Sequence, residues 1–352
     1  MKILYGVQGT GNGHTSRARM MQRHLANTDI EVQFLFSGRD QDKFFDMEPF
    51  GEYLWRRGLT FLTKEGRVQY LNTVLKAQPI QFIKDVYQLD VSDYDLIISD
   101  YEPITAWAGR LSNKPVIGLG HQYALQYPDV PKKGGDIIGN LVIKFFAPVK
   151  LGIGLHWHHF NAPIIPPMVP PELTASEQNG NHFLVYLPFE DQAKVTDCLN
   201  TLGDTNFIQY SGELTDGSKG NVELRKANQA GFKRDLANAK GVISNAGFML
   251  ISECLHIGKP VLCKPVERQA EQFDNIMALE ELGFGSALYE LSAEKIGQWI
   301  ENHPQQIACN YPDVAKHVVE WLQGDDISSS QSLVDAVWNQ QAEPSCNNSQ
   351  AA

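Results

Sequence analysis

The sequence predicts an α/β fold made of two domains, each with a doubly wound parallel sheet. Short apolar runs typical of buried strands alternate with helical patterns through both halves of the 352 residues. A proline-dense segment, 161–171, separates the halves, and proline at this density continues neither sheet nor helix. The chain is also longer than one hydrophobic core usually fills. We therefore expect two sheets that face each other across a cleft.

The domain boundaries follow from changes in composition along the chain. The prolines and the polar run after them predict a linker, and the polar C-terminus without periodicity predicts a disordered tail. The predicted divisions are an N-terminal domain at 1–160, a linker at 161–181, a C-terminal domain at 182–325, a C-terminal helix at 326–341 and a tail at 342–352.

The predicted elements alternate in the order that gives parallel sheets. In the first domain the strands are Lys2–Val7, Glu31–Phe36, Asp95–Ser99 and Pro115–Leu119, and the helices are Thr15–Ala26, Arg67–Leu89 and Pro103–Leu111. In the second domain the strands are Phe183–Leu187, Asn206–Tyr210, Gly241–Ser244 and Pro260–Cys263. Helices at Asp313–Leu322 and Ser330–Gln341 close the chain.

The first strand ends in a glycine-rich loop that runs from Gly6 to His14. Glycine accepts positive φ and close approach, and the free N–H groups of the following helix attract anions. Gly9, Gly11 and Gly13 therefore form either a loop that binds a phosphate or an acceptor oxygen, or a loop that only packs. His14 stands where the dinucleotide fingerprint has its third glycine, and the Gly-Lys-Ser/Thr of a P-loop is absent.

Three polar residues are predicted beside this loop, since open α/β sheets bind ligands at the carboxyl ends of their strands. Asp100 follows the third strand and either caps the next helix or orients the His14 imidazole. An imidazole titrates near physiological pH, so His14 suits a general base. His121 and Gln122 follow the fourth strand and either touch an acceptor or pack in a loop.

Composition excludes several classes of function. The net charge of −11 argues against binding of nucleic acid by the whole chain. The five cysteines are odd in number and include no Cys-x-x-Cys pair, so we expect reduced thiols. No apolar run is long enough to span a membrane, and the N-terminus lacks a signal peptide, which predicts a cytoplasmic protein. His156, His158 and His159 lack further ligands nearby, so no metal site is predicted.

The segment 137–155 is apolar for a surface segment and is interleaved with lysines, among them Lys144 and Lys150. It is either core with solvated lysines or a peripheral patch that rests on the inner face of the cell membrane, with lysines at the headgroups. The second interpretation would suit an acceptor carried by that membrane.

The segment from Gly241 to Asn275 contains a second strand, turn and helix start, with Asn245-Ala-Gly247 at the turn. This segment resembles the donor-binding region of GT-B glycosyltransferases, of the MurG-like and plant-type inverting groups (families 28 and 1) and their poorly characterised bacterial and archaeal relatives. The Gly9–His14 loop and the run Ile98–Trp107 resemble those groups as well. The resemblance covers both domains and implies two Rossmann-like domains that face a cleft.

The resemblance also implies roles for residues of the second domain. It implies no cofactor and a nucleotide-sugar co-substrate of the UDP-sugar type. The implied donor-binding residues are Asn245, Ala246 and Gly247 for the diphosphate, Glu253 for the ribose, and Gln269, Glu271 and Gln272 for the transferred sugar. The chain lacks the His-Cys-Gly-Trp turn of the plant enzymes, so the donor nucleotide and sugar stay open.

The chemistry expected from this resemblance is a metal-independent transfer of a sugar to an acceptor hydroxyl, on a lipid or a cell-envelope glycan. Retaining enzymes of the fold carry two glutamates eight residues apart near the donor sugar, and no such pair occurs here, which favours inversion. Helix N-termini would neutralise the leaving diphosphate. The alternatives are a nucleotide-sugar epimerase, a non-catalytic binder of a sugar nucleotide or glycan, and a nicotinamide oxidoreductase, which the missing third glycine disfavours.

Overall fold

The computed structural model describes residues 1–59, 63–64, 67–68, 78–132, 144–176, 180–324, 326–341 and 344–346. These residues form two seven-stranded sheets, each flanked by helices, and two short two-stranded sheets. The predicted α/β class with two doubly wound sheets is confirmed. Residues 137–143 of the lysine-bearing segment, residues 177–179 of the linker and residues 347–352 of the tail lie outside the described residues.

The first large sheet is parallel throughout and has the order β3-β2-β1-β6-β7-β8-β9. The strands up to the linker are β1 (Lys2–Gln8), β2 (Glu31–Ser37), β3 (Leu54–Trp55), β4 (Thr63–Lys64), β5 (Arg67–Val68), β6 (Leu96–Asp100), β7 (Val116–Gly120), β8 (Leu151–Leu155) and β9 (Ile164–Ile165). The helices are α1 (Asn12–Leu25), α2 (Pro79–Gln88), α3 (Pro103–Leu111) and α4 (His121–Ala124). The central strands are buried on both faces, as their continuous apolar sequences predict.

The second large sheet has the order β12-β13-β11-β10-β14-β15-β16, in which β12 pairs antiparallel and the other pairs are parallel. Its strands are β10 (His182–Tyr186), β11 (Asn206–Ser211), β12 (Gly217–Lys219), β13 (Val222–Lys226), β14 (Val242–Asn245), β15 (Val261–Lys264) and β16 (Ser286–Ala287). The helices are α5 (Gln192–Asn200), α6 (Gln229–Asn238), α7 (Phe248–His256), α8 (Ala270–Glu281), α9 (Ala293–Glu301), α10 (Val314–Leu322) and α11 (Gln331–Trp338).

The prediction of one helix over Arg67–Leu89 is wrong. Arg67–Val68 forms β5, which pairs antiparallel with β4, and the helix described in this region is α2. The proline at the start of α2 explains its beginning, since proline fits the first turn of a helix and disfavours helix in the residue before it. The eight strands predicted outside this region agree with the structure to within a residue at each end.

The proline-dense segment is not a free connection between domains. Ile164–Ile165 forms β9 and joins the first sheet, and Met168 and Val169 are buried. The C-terminal helices return to this region, where the Trp338 Nε1 donates to the Ile164 carbonyl oxygen at 2.7 Å. This return is also fixed by an ion pair of 3.0 Å between His24 and Asp313, which joins α1 to the start of α10.

The predicted disordered tail is structured in part. Ser345–Cys346 forms β18, which pairs antiparallel with β17 (Ile307–Ala308). None of the described helices is both long and apolar enough to cross a membrane.

Candidate functional site

The carboxyl edge of the first sheet carries a charged cluster of His14, Asp100 and Arg17. In the register of β1 and β6, Val7 lies opposite Asp100, so Asp100 ends its strand beside the start of the glycine loop. His14 Nδ1 donates to Asp100 Oδ1 at 2.7 Å, and Arg17 Nε donates to Asp100 Oδ2 at 2.8 Å. Arg17 Nη2 also donates to Asp100 Oδ1. The Asp100 carboxylate therefore has two basic partners, with no exposed surface of its own.

Charge keeps Asp100 ionised in this buried position. Burial alone would raise the pKa of Asp100, but the neighbouring charge of Arg17, with a smaller contribution from His14, lowers it below the ordinary value. Arg17 is 2% exposed, so this is a buried ion pair. Arg17 is a residue that the sequence analysis missed, although its position three residues after His14 puts the two side chains on one face of α1.

The same contacts constrain the tautomer of His14. Arg17 Nη2 lies 2.9 Å from His14 Nδ1, and a guanidinium nitrogen can only donate. An ionised carboxylate can only accept, so the contact with Asp100 places the proton on Nδ1, and Arg17 Nη2 donates to Asp100 Oδ1 instead of to His14. The other ring nitrogen, Nε2, is then the basic one, and 15% of the His14 side chain is exposed.

The alternative that Asp100 caps the next helix is wrong. The cap of α3 is Glu102, whose carboxylate accepts from Ile104 N at 2.9 Å and from Thr105 N at 2.6 Å. Ser37 Oγ, at the end of β2, also donates to Glu102 at 2.6 Å. Because Glu102 already accepts from the first N–H groups of α3, the carboxylate of Asp100 is available for His14.

Three of the loop glycines, Gly6, Gly9 and Gly13, are required for space, whereas a Cβ at Gly11 would meet no atom within 4 Å. Among the described glycines, those with positive φ do not include Gly6, Gly9, Gly11 or Gly13, so the expectation of positive φ in this loop is wrong. A Cβ at Gly6 would overlap Thr105, and a Cβ at Gly9 would overlap Phe44. A Cβ at Gly13 would overlap Met249, which belongs to the second sheet's α7. Gly13 therefore allows the two domains to approach each other beside His14.

The carboxyl edge of the second sheet carries the turn before α7. The N–H of Ala246 donates to the Lys264 carbonyl at 3.3 Å, and the N–H of Gly247 donates to the Asn245 carbonyl at 2.8 Å. These two N–H groups are thus occupied within the protein, which corrects their predicted role as phosphate donors. The N–H groups of the first helical turn, from Phe248 to Leu250, donate to no described residue and remain for an anion.

A buried ion pair crosses this edge above the end of β14. Lys264 Nζ lies 2.9 Å from Glu190 Oε1, and the two side chains are 9% and 11% exposed. Asn245 Nδ2 donates to the Lys264 carbonyl at 3.0 Å and to Glu190 at 3.3 Å, whereas its Oδ1 is buried without a partner in the described protein. The sequence does not single out Glu190 or Lys264, because neither residue belongs to a distinctive local pattern.

Glu253 is a carboxylate in α7 that forms no hydrogen bond with a described residue. Burial raises its pKa to about 7, opposed in part by the charge of Lys233. The Glu253 oxygens are not among the described buried atoms that lack a partner, so they remain accessible to solvent or to a ligand. This observation agrees with the ribose contact that the resemblance implies.

The residues predicted to read the sugar lie at the start of α8 and have different partners. Gln269 caps α8 with its backbone, and its side chain has no hydrogen bond to a described residue. Gln272 is buried, and its Oε1 accepts from Val266 N at 2.8 Å, so only its Nε2 remains for a ligand. Glu271 accepts from Gln122 Nε2 at 3.1 Å, which brings the predicted donor and acceptor residues together across the cleft.

His121 connects the domains and is not free for an acceptor. Its Nδ1 lies 2.9 Å from the Leu155 carbonyl, its Nε2 lies 2.6 Å from Asn275 Oδ1, and its ring stacks on Phe248 at 3.9 Å. Both ring nitrogens are therefore occupied, which corrects the predicted acceptor contact. Gln122 Oε1, in contrast, is buried without a described partner.

The histidines at 156, 158 and 159 stabilise their own loop. The Nδ1 atoms accept from the backbone N–H groups of Trp157, Phe160 and Asn161, each at 2.9 Å. Within the described part of the chain, no group of three or more His, Cys, Asp or Glu side chains could hold a metal ion.

Comparisons with known proteins show the family and the fold. The sequence matches the family described as glycosyl transferase family 1 over residues 1–304. An uncharacterised glycosyltransferase of Methanosarcina acetivorans is 23% identical over 339 residues, which cover 84% of this chain and 86% of the relative.

Two solved structures are similar in fold to almost the whole chain. Arabidopsis thaliana UGT89C1 complexed with UDP has a TM-score of 0.57 at 11% identity, over 96% of this chain and 98% of that one. MurG of Acinetobacter baumannii has a TM-score of 0.51 at 13% identity, over 96% and 99% of the two chains.

Proposed function

This chain belongs to glycosyl transferase family 1 and has the GT-B fold, and we propose that it transfers a sugar from a nucleotide-diphosphate sugar to an acceptor hydroxyl with inversion and without a metal. The observation that carries the proposal is the hydrogen bond of 2.7 Å between His14 and Asp100 at the edge that faces the second domain. A histidine oriented by a buried carboxylate is the arrangement of a general base.

The proposed base acts through His14 Nε2. Asp100 accepts a hydrogen bond from the Nδ1–H group and stabilises the imidazolium that forms when Nε2 removes the proton of the acceptor hydroxyl. The deprotonated oxygen then attacks the anomeric carbon as the bond to the diphosphate breaks. Arg17 keeps Asp100 ionised, so the carboxylate can serve this purpose throughout.

The leaving diphosphate is proposed to bind at the start of α7. The free N–H groups from Phe248 to Leu250 and the positive end of the helix dipole favour negative charge there. Lys264 lies at the neighbouring strand end, where its charge is paired with Glu190, so the helix start supplies the uncompensated positive potential. These groups together support a mechanism in which the chain itself neutralises the leaving group.

The donor is proposed to be a UDP-sugar. Glu253 would accept hydrogen bonds from the ribose hydroxyls, and Gln269, Glu271 and the Nε2 of Gln272 would contact the sugar. The similar structure of UGT89C1 is complexed with UDP, which supports this class of nucleotide.

The acceptor is proposed to be a lipid-linked or envelope glycan that the protein meets from the cytoplasm. Phe145 is 53% exposed, and Lys144 lies beside its ring at 5.6 Å, so this part of the segment 137–155 presents an aromatic and a basic group to the outside. Such a pair suits the interface of an anionic membrane.

The configuration of the product tests the proposal. The protein is incubated in turn with UDP-glucose, UDP-galactose and UDP-N-acetylglucosamine, with water as acceptor, and the released sugar is observed by proton NMR before mutarotation. We expect the β anomer from these α-linked donors, and the same rate in excess EDTA. An α anomer would disprove inversion, and loss of release in EDTA with recovery on adding Mn²⁺ would disprove the metal-independent mechanism.

A further inference from the structure

The short helix α4 belongs to the first domain and contacts the donor region of the second. It follows β7 directly, and all four of its residues are buried. Its first side chain, His121, contacts Asn275 of α8, and its second, Gln122, contacts Glu271 of the same helix. Because Glu271 and Asn275 are four residues apart, they lie on one face of α8. Two consecutive residues of one domain therefore contact a single helix face of the other.

His121 is connected by two routes to the turn before α7. Its ring is parallel to that of Phe248, the first residue of α7, with 3.9 Å between the ring centroids and 7° between the planes. Its Nε2 lies 2.6 Å from Asn275 Oδ1, and Asn275 Nδ2 donates to the Ala246 carbonyl oxygen at 2.9 Å. Asn275 has no exposed surface, so bulk water does not compete for these contacts. The positions of Ala246 and Phe248 thus depend on a side chain of the other domain.

His121 is itself fixed within the first domain. Its Nδ1 lies 2.9 Å from the carbonyl oxygen of Leu155, the last residue of β8, and its side chain is buried. The turn that it contacts precedes the N–H groups from Phe248 to Leu250, which donate to no described residue. A displacement of the turn would change the direction of these N–H groups. The contacts of His121 therefore set where the start of α7 points.

Gln122 holds a different group of the donor region. Its side chain is buried, and its Nε2 donates to Glu271 Oε2 at 3.1 Å. An ionised carboxylate can only accept, so this hydrogen bond determines which end of the Gln122 amide faces α8. Glu271 is one of the groups proposed to contact the transferred sugar. Gln122 therefore orients a carboxylate of the sugar site from the opposite domain.

We propose that His121 and Gln122 are positioning residues of the donor site. His121 sets the turn whose following N–H groups receive the diphosphate, and Gln122 sets the carboxylate of Glu271 for the sugar. Neither side chain needs to touch the donor for this role. The proposal rests on the proposed function, because it takes the start of α7 and Glu271 as donor contacts. It makes the affinity for the donor depend on the packing of the two domains at α4.

Separate titrations of UDP and of UDP-sugars distinguish the two roles. The full chain and its variants are titrated by calorimetry with UDP, UDP-glucose, UDP-galactose and UDP-N-acetylglucosamine, and circular dichroism checks that each variant is folded. His121→Phe keeps a ring on Phe248 but loses the contact with Asn275. We expect it to weaken UDP and the UDP-sugars by one common factor of about 3 to 10. Gln122→Met should leave the affinity for UDP unchanged and weaken, by a similar factor, the UDP-sugar that the wild type binds most tightly.

Trp157→Phe is the matched control. Trp157 also joins the domains, since its Nε1 donates at 2.9 Å to the Oγ of Ser252, which lies beyond the first turn of α7. The variant keeps an aromatic ring beside Phe248 and loses one hydrogen bond between the domains. We expect it to leave the affinity for UDP unchanged. Equal losses from Trp157→Phe and His121→Phe would show that His121 only holds the domains together, which would overturn the proposal.

Asn275→Leu breaks the same connection from the second domain. It should weaken UDP at least as much as His121→Phe does, because the Ala246 carbonyl also loses its donor. If His121 acts through Asn275, the double variant should bind UDP about as well as Asn275→Leu alone. Losses that multiply in the double variant would contradict this connection.

The remaining outcomes separate this proposal from the proposed function. If the wild type binds UDP and UDP-sugars, and His121→Phe and Gln122→Met bind them equally well, the positioning roles are wrong and the proposed function stands. A Gln122→Met protein that loses UDP and UDP-sugars by the same factor would disprove the role of Gln122 toward the sugar. A folded wild type that binds neither UDP nor any of the UDP-sugars would disprove the proposed donor and the positioning roles together.

Discussion

The two strand edges that face each other across the cleft are built differently. At the first edge, His14, Asp100 and Arg17 are ionisable groups that satisfy one another within the chain. At the second edge, Glu253 and the first N–H groups of α7 lack partners among the described residues. Side chains that are already hydrogen-bonded have a fixed orientation, as a reacting group needs. Groups without a partner can bind a ligand instead. The difference supports the proposed roles, in which the first edge carries the base and the second edge binds the donor.

The sharpest test of this division is His14→Ala. Turnover should fall about 100- to 10,000-fold, the usual contribution of a positioned general base. The affinity for UDP should be nearly unchanged, because the donor groups belong to the other edge. Initial rates of UDP release and calorimetric binding of UDP on one sample measure both quantities. A stable His14→Ala protein with wild-type turnover would remove His14 from the mechanism.

The next test concerns the pairing at the first edge. Arg17→Met leaves the Asp100 carboxylate buried with only His14 beside it, so the free energy of unfolding should fall by about 3–5 kcal/mol. Asp100→Asn leaves Arg17 equally uncompensated, so it should cost stability as well as rate. If Asp100 contacted only His14, the Asp100→Asn protein would be expected to keep its stability. Urea unfolding, followed by circular dichroism, measures the effect.

Arg23→Met is the control for this test. Arg23 is a second arginine of α1, and its partner Glu172 is 53% exposed, so the pair is worth about 0–1 kcal/mol. Equal stability of Arg17→Met and Arg23→Met would show that the charged cluster is not a buried network, and the contrast between the two edges would lose its basis.

The smallest expected effect is the pH dependence of donor binding at Glu253. Its pKa of about 7 means that the carboxyl is neutral below this pH and charged above it. A charged acceptor binds hydroxyls more strongly, so the affinity for UDP should rise roughly 3- to 10-fold as the pH increases through 7. The Glu253→Gln side chain has the same shape but does not titrate in this range, so the affinity of this variant for UDP should not show that rise. Any remaining change of affinity with pH comes from UDP or from other groups. Identical pH profiles for the two proteins would contradict the ribose contact.

The sequence predicted the pairing of His14 with Asp100 because both residues follow parallel strands. The ends of such strands meet at one edge whatever the length of chain between them. The sequence left open whether Asp100 caps α3 or orients His14, since a carboxylate between a strand and a helix suits either role. The structure assigns the cap to Glu102, which accepts from Ile104 and Thr105.

Sequence alone determined the two sheets and the position of the two glycine turns, because periodicity and turn chemistry are local properties of the chain. Tertiary structure decided which polar groups have hydrogen-bond partners within the protein. The N–H groups of Ala246 and Gly247 donate to carbonyls, and Glu190 pairs with Lys264, which lies 74 positions later in the sequence. Whether a donor, an acceptor or a charge has a partner depends on distances between segments that are remote in sequence, and those distances exist only once the sheets are packed.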